Sequence, residues 1–123
     1  MVGEAVLAYV SDQMFAVNLR EAAAQTGIAL SFASSGNDFK QRLEQVHPSL
    51  VVLDLTAVGA ELDWMVKECK LINSKVIGFG PHAQEELLNK AKAAGCDEVF
   101  TNSVFKQQPV DLLKEWFSLH EHE

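Results

Sequence analysis

The sequence predicts an α/β domain built on one parallel sheet with helices over both faces. Three observations predict it. Apolar runs of strand length alternate with segments whose apolar residues recur at helical spacing, in roughly five strand-helix units. The central run, Leu50-Val51-Val52-Leu53, is apolar at every position, as a strand buried on both faces is. No Pro/Gly/Ser-rich linker and no internal repeat divides the 123 residues, a length that suits one core burying about two-thirds of the unfolded surface.

Taken in order, Ala5 to Val10 reads as the first strand. A helix starts near Asp12, carries Phe15, Leu19, Ala22 and Ala23 on one face, and stops at Gly27, a residue suited to a left-handed cap. Ile28 to Ala33 alternates as a second strand. After the turn-rich Ser34-Ser35-Gly36-Asn37, a second helix places Phe39, Leu43 and Val46 on one face until His47-Pro48 halts it. Leu50 to Leu53 is the third strand. The third helix follows an Ala57-Val58-Gly59 loop, with Leu62, Met65, Val66, Cys69 and Ile72 inward. Lys75 to Phe79 forms a fourth strand, and Pro81 opens a fourth helix with Leu87, Leu88, Ala91 and Ala94 inward, capped by Gly95. Glu98 to Thr101 is the fifth strand. Pro109 opens a fifth helix carrying Leu112, Leu113, Trp116, Phe117 and Leu119.

Composition narrows the function. A net charge of -7 and the absence of any Lys/Arg cluster argue against nucleic acid and against anionic membrane surfaces. The apolar stretch at Ala5 to Val10 is too short for a signal-peptide core or a membrane span, and it lacks a basic flank, so the expected location is cytoplasmic. Cys69 and Cys96 form neither a CxxC pair nor a zinc spacing with the four histidines, and both read as small buried hydrophobes. No glycine-rich phosphate loop follows the first strand, where Ser11-Asp12-Gln13-Met14 stands. No nucleophile elbow or Ser-His-Asp set appears either, so an enzyme is not expected. Asp54-Leu55-Thr56-Ala57-Val58-Gly59 has Thr56 where a cobalamin-binding signature needs histidine.

Two carboxylates carry the main signal. Asp12 follows the first strand and Asp54 ends the third, at the strand ends where open α/β sheets place their chemistry. With Leu50-Val51-Val52-Leu53-Asp54-Leu55 and Ala94-Gly95-Cys96-Asp97-Glu98 at mutually consistent positions, the chain resembles the receiver domain of two-component response regulators over nearly its whole length. That resemblance implies a flavodoxin-like (βα)5 fold with strand order 2-1-3-4-5, a receiver-like domain over residues 1–119, and a frayed tail at 120–123. It also implies that Asp54 is the phosphoacceptor candidate and that Asp12 and Asp54 form a weak Mg2+ site, no other cofactor being expected.

The same mapping finds the family's switch degenerate. Ser11 stands for the second acid, Gly80 for the hydroxyl ending the fourth strand, Asn102 for the lysine ending the fifth, and Val99 for the aromatic that couples the site to the output face. Lys106 lies near the missing lysine and could reach back. Losing one preorganised donor costs about 3 kcal/mol of transition-state stabilisation. The expected function is therefore a stand-alone signalling module acting by protein-protein interaction through the face of helix four, strand five and helix five, without an efficient phosphoryl switch. The alternative is a working phosphoacceptor modified on Asp54 with Mg2+ by a histidine kinase.

Plainer roles stand beside these. Asp12 equally suits an N-cap. Asp54, directly after four buried apolar residues, needs a cation, a donor or a solvent crevice to offset its desolvation, or else serves a turn or cap. His82 is either a ligand at this edge or a solvated first-turn residue, and Gly78 and Gly80 either admit a close approach or only ease packing. Trp64 and Trp116 read as core edges or as partner anchors. His120 and His122 make a poor metal site.

Overall fold

The computed structural model describes residues 5–103. Five strands, β1 (Ala5–Tyr9), β2 (Ala29–Phe32), β3 (Leu50–Asp54), β4 (Lys75–Gly80) and β5 (Glu98–Thr101), form one parallel sheet in the order 2-1-3-4-5. Helices α1 (Gln13–Thr26), α2 (Gly36–Val46), α3 (Leu55–Val58), α4 (Leu62–Leu71) and α5 (Glu85–Ala94) connect them, with a 3-10 turn at Gly59–Glu61 between α3 and α4.

Strand periodicity divides the core into two. Val6, Ala8, Leu50, Val52, Ile77 and Phe79 turn to one face, where α1 contributes Phe15, Leu19 and Ala22, and the Phe15 and Phe79 rings stack at 4.1 Å. Leu7, Val51, Leu53 and Val76 turn to the other, meeting Phe39 and Leu43 of α2, Met65, Val66 and Cys69 of α4, and Ala91 of α5. Every residue of β3 is buried, as expected for the central strand. Trp64 is half-buried and meets Phe39 edge-on, the place of a core-edge residue.

Two segments differ from the sequence reading. The stretch beyond Asp54 is not a loop but the short helix α3, because the Asp54 carboxylate accepts the Thr56 N–H and caps it. Pro81 does not open the fourth helix of the sequence reading: Pro81 to Gln84 forms a turn closed by Gln84 N–H to the Pro81 carbonyl, and α5 begins at Glu85. Glu85 and Glu86 meet the positive end of that helix. His82 consequently lies exposed in the turn rather than in a first helical turn.

Cys69 and Cys96 are less separate than their sequence contexts suggest, since both pack into the α2-α4-α5 side of the core. Burial pushes the Cys69 thiol up to about 12 and the Cys96 thiol to about 11, so both stay protonated and inert at neutral pH. Asp97, just before β5, joins this region to the sheet: its carboxylate accepts the Val76 N–H at 2.8 Å and pairs with Lys70. Burial raises its pKa, but the Lys70 ammonium and the Val76 N–H outweigh burial and hold it below the usual range. The fifth helix expected beyond Pro109, with Trp116, and the region of Lys106, His120 and His122, lie outside the described residues.

Candidate functional site

The carboxyl edge of the sheet gathers Ser11, Asp12, Asp54, Gly80 and Asn102. Tyr9 pairs with Leu53 in the β1-β3 register, so the chain leaving β1 passes over the end of β3 and delivers Ser11 to Asp54. Asp54, only 4% exposed, is one of two buried polar side chains among the described residues. Its Oδ2 accepts the Ser11 N–H at 3.2 Å and the Ser11 hydroxyl at 3.0 Å. Its Oδ1 accepts the Thr56 N–H at 3.2 Å and the Thr56 hydroxyl at 2.7 Å. A carboxylate has about four acceptor directions. All are thus engaged by two residues of the chain itself.

This answers the desolvation problem that the sequence posed. The buried acid is met by donors, two from the backbone and two from hydroxyls, and not by a second acid. Ser11 does more than vacate the position of an acid: it supplies both bonds to Oδ2. Thr56 was not among the sequence-derived site residues, and its only signal was a hydroxyl two residues beyond an acid, the spacing at which a side chain and its local backbone can hydrogen-bond.

Asp12 is the N-cap of α1. Its Oδ1 accepts Met14 N–H at 2.9 Å and Phe15 N–H at 3.2 Å, and the residue is exposed. Among the described residues no group of three or more His, Cys, Asp or Glu side chains could hold a metal ion. Magnesium demands close to six oxygens in octahedral array and sheds water reluctantly. One Asp12 oxygen caps α1 and both Asp54 oxygens accept hydrogen bonds from Ser11 and Thr56, so a magnesium ion held by these two acids and water would compete with those donors.

The remaining switch positions line the same edge. Gly80 ends β4 opposite Thr101, and a Cβ added there would meet Leu88 Cδ2 at 3.4 Å and Leu55 Cβ at 3.6 Å, ordinary contacts. Gly78 is tighter: an added Cβ would meet Leu55 Cδ2 at 3.1 Å, so the residue after Asp54 packs onto bare backbone. Val99 is half-buried on β5 and packs into the α2-α4-α5 side of the core. Asn102 follows β5 directly, and its Oδ1 is buried without a hydrogen-bond partner among the described residues. Thr101 shares its hydroxyl with Ser103 at 3.3 Å.

The sequence matches no protein-family model and no curated protein. Solved structures do match. A receiver domain protein from Methanospirillum hungatei superposes with a TM-score of 0.80 at 18% identity, covering 98% of this chain and 98% of that one. A response regulator from Thermotoga maritima gives 0.78 at 14% identity, covering 95% and 99%. A signal receiver domain from Bermanella marisrubri gives 0.77 at 15% identity, covering 93% and 98%. No helix among the described residues is long and apolar enough to cross a membrane. Strand order, crossover helices and these superpositions agree that the chain has the fold of response-regulator receiver domains.

Proposed function

We propose that this protein is a receiver-like signalling module that acts by binding another signalling protein and lacks an efficient phosphoryl switch. One observation carries the reading: the carboxylate at the phosphoacceptor position has its acceptor directions filled by Ser11 and Thr56. In-line attack on a phosphoryl donor needs a free carboxylate lone pair and positive charge around the transferred oxygens. Here the lone pairs must first be released, and Gly80 and Asn102 supply neither hydroxyl nor ammonium. Magnesium at Asp12 and Asp54 binds weakly on this reading, because it must displace Ser11 from Oδ2. Binding rather than turnover is then the output, with α5, β5 and the chain beyond as the partner face, in a cytoplasmic setting.

Incubation with acetyl phosphate and magnesium, followed by intact-mass spectrometry, tests this. The expected result is no adduct above background. A stable gain of one phosphoryl group that Asp54→Asn abolishes would establish the phosphoacceptor and reinstate a histidine kinase as the upstream partner.

A further inference from the structure

We infer a second docking surface, at the opposite edge of the domain from Asp54, that fits an amphipathic cationic segment of another protein. The helices run antiparallel to the strands they connect, so the carboxyl ends of α2 and α4 lie together at the amino edge of the sheet. Between them opens a cavity of about 230 Å3, with Leu43, Leu71 and Ile72 as its apolar floor and Glu44, His47 and Glu68 as its rim. Leu71, at the carboxyl end of α4, is 69% exposed and continues the apolar lining to the surface. The volume lies below the roughly 300–1,000 Å3 of small-molecule pockets. It suits one or two inserted side chains.

Electrostatics selects the occupant. The lining holds two carboxylates and no Lys or Arg. Both helices also direct their negative dipole ends here. The last turn of α2 contains no basic residue. The last turn of α4 contains Lys70, but its ammonium is committed to Asp97. Among the described residues, the lining itself therefore gives Glu44 and Glu68 no Lys or Arg partner. A segment presenting a leucine-sized side chain flanked by Lys or Arg would fill the floor and pair with the rim. The net charge of -7 would speed its approach and oppose a second copy of this chain. This surface is independent of whether Asp54 is phosphorylated.

The test uses the 15N-labelled full chain and three fluorescein-labelled peptides: a helical Leu/Lys amphipath, its Leu/Glu counterpart, and a scrambled Leu/Lys sequence. The first should saturate in anisotropy, with amide shifts centred on Leu43, His47, Leu71 and Ile72. Leu71→Asp and the double variant Glu44→Lys/Glu68→Lys should each weaken it by about tenfold or more. Those residues lie at the surface or rim, and unchanged circular dichroism would show that the variants fold. Equal binding of the scrambled or acidic peptide, shifts centred elsewhere, or no saturation would overturn the inference. So would a dimer abolished by Leu71→Asp, which would assign the groove to a second copy.

Discussion

Replacing Asp54 with alanine removes one acceptor group and strands four donors. Hydrogen bonds to a charged group contribute roughly 1.5–3 kcal/mol each. Ser11 and Thr56 are exposed residues, so their hydroxyls can turn to water, and the loss falls mainly on their two N–H groups. Allowing for water entering the vacated space, Asp54→Ala should cost about 2–4 kcal/mol. For a domain of this size that lowers Tm by on the order of 10 °C. Asp54→Asn keeps one acceptor oxygen but turns an amide NH2 toward the other donor pair, so it should destabilise as well, by less. Urea titration and thermal circular dichroism at neutral pH without divalent cations measure both. The sign is the informative quantity. In a pocket of crowded, uncompensated carboxylates, removing one relieves repulsion and stabilises the fold. A rise in Tm for either variant would refute the idea that Ser11 and Thr56 hold Asp54 as a structural tie.

Ser11→Asp should destabilise the domain, since it removes the hydroxyl donor to Oδ2 and sets a like charge beside it while keeping the backbone N–H, and it should tighten magnesium binding from weak, millimolar saturation in the unmodified chain. Tryptophan fluorescence or NMR titration reads this, and micromolar affinity before the substitution would contradict the closed site. Gly78→Ala must displace Leu55 from 3.1 Å and should lose about 1–3 kcal/mol in denaturant titration, whereas Gly80→Ala meets only ordinary contacts and should change stability by less than about 1 kcal/mol. Similar losses at both glycines would show that the packing of Leu55 is not what distinguishes them.

Most of the fold was legible because burial in a parallel sheet imposes a simple pattern. β5 falls on Glu98–Thr101 as the apolar run indicates, and Phe15, Leu19, Ala22 and Ala23 form the inward face of α1. The errors came where two local signals competed. Pro81 suits a first helical position, yet the acidic pair at Glu85 and Glu86 marks the actual start of α5. Gly59 suggested a loop after Asp54, but the Asp54 cap winds Leu55–Val58 into a helical turn first. At the site, sequence identified Asp54 as a buried acid in need of a partner. It could not reveal that partner, because Ser11 lies 43 residues away and meets Asp54 only through the β1-β3 register. Thr56 was hidden for a different reason: its role depends on a rotamer that only the capped turn fixes.

The most direct test of the central claim compares backbone NMR spectra of the unmodified chain with and without beryllium trifluoride and magnesium. A phosphoryl mimic shifts a conformational equilibrium only through contacts that differ between two states, and Gly80, Val99 and Asn102 lack the hydroxyl, ring and ammonium to make them. The account predicts small shifts confined to Ser11, Asp12 and the Asp54–Thr56 turn, with Val99 and α5 unmoved. Saturable shifts that spread through Val99 into α5 would contradict it, and would show that a phosphoryl signal still crosses this domain.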